Sequence, residues 1–176
     1  MSIFKDEMYK FITDEENFNL ASEISELMPE VKERLINEFW DLVVKKLTQL
    51  DIKNEWDINY EENLFIDIYL KNKNWDCYFS LFDLKKNLFY GVYIDEGLDK
   101  SKGYKLLANT DFTLNMKKGS ENSNWLYWKL QGENFNSSNT LKNIIPSKRE
   151  DLVNIIATEY FDFINEGKEL LIKLNK

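Results

Sequence analysis

The stretch Leu64-Phe65-Ile66-Asp67-Ile68-Tyr69-Leu70 decides the fold class, because its side chains change character with a period of two. Leu64, Ile66, Ile68 and Leu70 fall on one face of an extended chain; Phe65, Asp67 and Tyr69 fall on the other. Two later stretches repeat the habit. Cys77, Phe79 and Leu81 alternate with Tyr78, Ser80 and Phe82, and Leu88 to Ile94 does the same around Gly91. β-Branched and aromatic residues suit a pleated surface, and the connections 71–76 and 83–87 are short enough for hairpins. These stretches predict an antiparallel meander. Both of its faces are apolar, so helices are expected on one side and a partner on the other.

Outward from the meander the period lengthens. Leu20, Ile24, Leu27, Val31, Leu35, Phe39, Leu42 and Leu47 recur at helical steps. Pro29 interrupts that row, which predicts helices over 20–28 and 30–50, separate or joined through a kink. Ahead of them, Ile3, Phe4, Met8, Phe11 and Ile12 mark a short helix, and Thr13-Asp14-Glu15-Glu16 reads as a capping box. Downstream, 95–103 and 117–124 read as loops, 104–116 fits helix or strand, and Trp125 to Leu130 is a compact apolar strand. A second capping box, Ser147-Lys148-Arg149-Glu150, opens a long terminal helix marked by Leu152, Ile155, Ile156, Phe163, Leu170 and Leu174. The expected architecture is α+β, an antiparallel meander packed against N-terminal helices and a long C-terminal helix. A single domain over 1–176 is expected, helical over 1–50, mostly strands over 55–130, and helical again over 147–175.

Composition removes whole classes of chemistry. The chain has no His, which excludes imidazole bases and the commonest transition-metal ligand. Its one Cys, Cys77, forms no internal disulfide and no multi-cysteine zinc site, and its place among aromatics reads as a small buried hydrophobe. Neither a cofactor nor a metal is expected. With 23 basic and 31 acidic residues the net charge is −8, which argues against direct binding of duplex nucleic acid and for a protein partner. Met1 to Phe11 lacks a signal-like apolar stretch, and no run of ~18 apolar residues would span a membrane. The expected location is therefore the cytoplasm, bacterial or that of the host cell if the chain is phage-encoded. Phosphate-cradling and nucleophile-elbow motifs are absent.

Acids are the one plentiful catalytic resource. A metal-dependent nuclease of the PD-(D/E)XK type needs carboxylates on neighbouring strands to hold Mg²⁺, and a Lys two residues after the second acid to position water. Asp67, Asp83 and Lys85 have that order, with Glu38 upstream on a helix. Four acid-x-Lys triplets occur in the chain, and 31 acids with 21 Lys give about 3.7 by chance, so solvated strand-edge charges compete with this reading. The other feature is aromatic. Strict alternation would send Trp125 and Tyr127 to one face and Leu126 and Trp128 to the other. An exposed row of this kind suits base stacking or a protein hot spot, whereas burial of both faces would make it core.

Glu38-Phe39-Trp40 within an amphipathic helix ending Lys46-Leu47 resembles a helix downstream of the nuclease core in bacterial PD-(D/E)XK family proteins. The likeness continues through Tyr78 to Phe82, Leu88 to Val92, Trp125 to Trp128 and the closing helix from Ser147 to Leu174. The resemblance implies a domain that accompanies a nuclease without the nuclease core itself, and it carries over no catalytic or metal-binding residue. The expected function is a non-catalytic recognition module that binds protein through Trp125, Tyr127 and Trp128, or through Glu23 and Glu30. The alternatives are an acidic inhibitor, such as an immunity or phage counter-defence protein that mimics nucleic acid, and a reduced nuclease using Glu38, Asp67, Asp83 and Lys85.

Overall fold

A computed structural model describes residues 3–52, 55–61, 65–70, 76–82, 86–96, 99–108 and 110–176. The helices are α1 (Ile3–Ile12), α2 (Glu15–Leu47), α3 (Ser101–Leu107), α4 (Ser138–Asn143) and α5 (Arg149–Leu174). The strands are β1 (Trp56–Glu61), β2 (Phe65–Leu70), β3 (Cys77–Phe82), β4 (Asn87–Ile94), β5 (Lys117–Lys118) and β6 (Trp125–Asn134). A π-helical turn (Thr48–Ile52) follows α2, and a 3-10 turn (Asp111–Thr113) follows α3. The architecture is α+β, as the alternation predicts. Among the described residues, no helix is long and apolar enough to cross a membrane.

Two compact units compose the chain, residues 1–35 and 36–176. The second contains a six-stranded sheet in the order β1-β2-β3-β4-β6-β5, with every described neighbour antiparallel. Register fixes its faces. Ile68, Phe79 and Val92 are cross-strand neighbours, as are Ile66, Leu81 and Tyr90, and this side is covered by α5. There Phe163 meets Phe79 at 5.2 Å and Tyr90 at 5.0 Å between ring centroids. Two polar contacts orient the helix. Tyr160 donates its hydroxyl proton to the Ile66 carbonyl at 3.1 Å, and Asn175 accepts from the amides of Asp76 and Cys77. From Ile36 onward α2 also enters this core, where Phe39 and Trp40 pack on Phe135.

The first unit is built differently. It holds α1 and the part of α2 before Ile36, in which no residue of α2 is buried. Pro29 does not divide the helix; α2 runs through it.

Other local expectations change as well. The Thr13 hydroxyl donates to the Tyr9 carbonyl at 2.9 Å, so it closes α1 rather than capping α2. At α5 the N-cap is Lys148, with no side-chain cap, so the second capping box does not form. Ser137 is the working cap instead, accepting from the Thr140 amide at the start of α4, a helix the sequence reading leaves out. Of the ambiguous stretch 104–116, α3 takes in the residues up to Leu107 and the 3-10 turn takes in Asp111–Thr113. Along α5 Leu171 is buried where Leu170 is expected, one step around the helix.

Candidate binding face of the sheet

The face opposite α5 carries a different set of side chains. One cross-strand row runs Asp67, Ser80, Gly91, Trp128, and the next runs Tyr78, Tyr93, Trp125, with the Tyr69 ring tilted against Tyr78 at 4.7 Å. A third row pairs Phe65, Phe82 and Phe89. Rings touch rings along this face: Tyr78–Tyr93 at 5.4 Å, Tyr93–Trp125 at 5.2 Å, and Phe89–Trp128 at 5.1 Å. Most of these pairs are tilted or edge-to-face, the arrangement favoured by ring quadrupoles. Because each ring is braced by another, little rotamer freedom remains to be lost on binding.

A bulge is what aligns the tryptophans. Val92 pairs with Tyr127, but Tyr93 pairs with Trp125, so Leu126 is an extra residue in β6. The extra residue resets the alternation, and Trp125 and Trp128 emerge on the same face. Tyr127 goes to the helix side, 6.2 Å from Tyr104 of α3. The expected pairing of Trp125 with Tyr127 is therefore corrected: Trp125 and Trp128 belong together. A second irregularity lies between the Asn87–Asn134 and Phe89–Leu130 pairs, where Gly132 takes a φ of 108° that favours glycine.

Phe82, Phe89, Trp125 and Trp128 wall a hollow of about 410 Å³, with Lys118 and Ser123 at its rim. Lys117 places its ammonium 5.2 Å from the centre of the Trp128 ring. The rim loop is held from below. Lys100 donates its ammonium protons to the carbonyls of Glu121 and Ser123, Tyr104 donates to the Gly119 carbonyl, and the Trp125 amide donates to Ser123 Oγ. Sequence reading missed Phe82, Phe89 and Tyr93 as members of this site. The available signal was the period of two itself, which sets Phe82 on the face opposite Phe79 and Leu81, and Phe89 and Tyr93 opposite Tyr90 and Val92.

Asp67 closes the face at one end and is 5% exposed. Tyr69 donates to its Oδ2 at 3.4 Å, while Oδ1 has no hydrogen-bond partner. Burial pushes the Asp67 carboxyl from 3.8 up to about 6, opposed by the Ser80 and Tyr69 hydroxyls and assisted by the charge of Asp95. Burial likewise raises Tyr69 to about 12 and the Cys77 thiol to about 11, so that Cys77 is unreactive as well as buried. For Asp67 the native protein holds its proton more tightly than the unfolded chain. Stability is thus greatest below the unfolded value near 4 and falls as pH rises to about 6, by about 3 kcal/mol in all. Asp67→Asn should flatten that slope and leave the variant more stable than the parent at pH 7 by about 1–3 kcal/mol. Urea titrations at pH 4 and pH 7 measure it, and an unchanged slope would exclude Asp67 as its source.

The nuclease constellation is only partly in view. Asp83 and Lys85 lie outside the described residues. Glu38 is ion-paired to Arg149 at 2.9 Å, and Asp67 belongs to the aromatic face. Among the described residues, no group of three acids, His or Cys is placed to hold a metal ion. Glu23 and Glu30 lie exposed on α2 in the first unit, whereas Trp125 and Trp128 belong to the second. Comparison with protein-family models, with curated proteins and with solved structures finds no match to this chain.

Proposed function

We propose that this chain is a non-catalytic protein-binding module whose contact surface is the aromatic face of the sheet. The observation that carries this reading is the bulge at Leu126, which turns Trp125 and Trp128 together into one hollow on the side that α5 leaves open. Half-exposed Trp and Tyr side chains, braced by one another, are the residues that dominate protein interfaces. A net charge of −8 favours a protein over a polyanion as the ligand. The acidic-inhibitor alternative rests on the exposure of Glu23 and Glu30, and the nuclease alternative on Asp67 and the triplet at Asp83.

The test compares partners retained by the parent chain with those retained by Trp128→Ala, followed by surface plasmon resonance on the partner found. Trp128→Ala should cost about 2 kcal/mol, roughly thirty-fold in affinity, expressed mainly as faster dissociation. Unchanged dissociation together with association that slows in Glu23→Lys would move the contact to the acidic helix. Mg²⁺-dependent cleavage of DNA or RNA that disappears in Asp67→Asn would replace the binding reading with the nuclease one.

A further inference from the structure

The first unit has a surface of its own. Leu20, Ile24, Leu27 and Val31 follow one another at steps of four, three and four along α2. They are 56, 49, 57 and 47% exposed. That spacing is a heptad seam, with Ile24 and Val31 at a positions and Leu20 and Leu27 at d positions. Pro29 lies inside the same helix and removes the backbone donor that would reach Ser25. A helix with an interior proline and no buried residue over this length gains little from its own hydrogen bonds; most helical stability comes from packing an apolar face. The seam asks for something to cover it.

Charge decides what that is. Glu16, Glu23 and Glu30 fall on the g positions along one flank, while Ala21, Met28 and Leu35 occupy the e positions along the other. In a parallel pair of identical helices each Glu would meet an apolar e residue, and in an antiparallel pair Glu would meet Glu. A second copy therefore satisfies neither arrangement. Residues 1–35 carry nine acids against four bases, −5 of the chain's −8. Among the described residues no ion pair involves Glu16, Glu23 or Glu30.

We infer that the Leu20–Val31 seam is a docking site for a basic amphipathic helix of another protein, its apolar stripe seated on the seam and its Lys or Arg facing Glu16, Glu23 and Glu30. This surface belongs to the first unit and does not depend on the sheet face.

The probe is a synthetic three-heptad helix with Leu at a and d and Lys at e and g, titrated calorimetrically into the full chain at two salt concentrations. Binding should weaken at least tenfold in Ile24→Asp with Leu27→Asp, and at least tenfold for a scrambled peptide of the same composition. Glu23→Lys with Glu30→Lys should weaken it and remove most of its salt dependence. Trp128→Ala should leave it unchanged. Circular dichroism of the aspartate variant should show the sheet intact, because no α2 residue before Ile36 is buried. Equal binding of the scrambled peptide would reduce the effect to bulk charge and overturn the inference. A dimer of the free chain that dissolves in the aspartate variant would overturn it in favour of a second copy, and loss of peptide binding in Trp128→Ala would move the site to the sheet.

Discussion

Phe163→Ala should destabilise the protein by about 3–5 kcal/mol, the usual cost of emptying a well-packed phenylalanine site. Phe163 is buried at the centre of the helix-facing core, where its ring meets Phe79, Tyr90 and Phe112 at 4.9–5.2 Å and lies parallel to Tyr160. These rings also touch one another and Trp56, but each is fixed to a different element, so they cannot close fully on the space that Phe163 leaves. The sheet holds Phe79 and Tyr90, and the Tyr160 hydroxyl is tied to the Ile66 carbonyl. Urea unfolding measures the loss. A value under about 1 kcal/mol would mean that α5 does not rely on this ring for its position.

The second large effect is expected at Gly91, where the consequence is a shape change as well as a loss of stability. A Cβ added there would lie 2.1 Å from the Tyr127 carbonyl oxygen and 2.8 Å from the Trp128 Cα. Both are backbone atoms of β6, so relief requires the strands to separate rather than a side chain to turn. Gly91→Ala should cost about 3 kcal/mol, the upper end for overpacking. It should also shift the tryptophan emission, because Trp125 and Trp128 ride on the displaced strand. If the variant keeps the parent's emission and stability, β6 does not approach β4 as closely as the bulge requires.

How much of this was legible in the sequence depends on which interaction fixed each part. The meander was readable because Ile66, Phe79 and Val92 sit in stretches whose period of two survives folding intact. The long terminal helix was readable for the same reason at period 3.6, with Leu152, Ile156 and Phe163 all buried. The facing of Trp125 and Trp128 was not. It follows from one inserted residue, Leu126, whose effect depends on the partner strand and leaves no trace in local propensity. The first capping box failed through competition, because a threonine hydroxyl close behind α1 finds the Tyr9 carbonyl first; the second failed because the helix starts one residue later, with Lys148 at the cap. Asp67 reads as a strand-edge charge or metal ligand, yet its cross-strand neighbours bury it, which only the completed register reveals. The exposed seam of α2 was visible as a helical row; that its first half would bury nothing was not, because amphipathicity predicts a covered face without naming the cover.

The cover that α5 gives the meander also sets a timetable for synthesis. The ribosome finishes β4 at Ile94, but the helix that shields one side of it ends at Leu174, 80 residues later. At ~5–20 residues per second that interval lasts about 4–16 s, far longer than a hairpin takes to form. During it the nascent sheet offers water Phe79, Tyr90 and Val92 on one side while its aromatic rows occupy the other. Such a ribbon is the kind of surface that adheres to neighbouring chains. Production of this protein should therefore depend on translation speed and on chaperones that occupy apolar strands, to a degree that its finished structure, with that side sealed, gives no hint of.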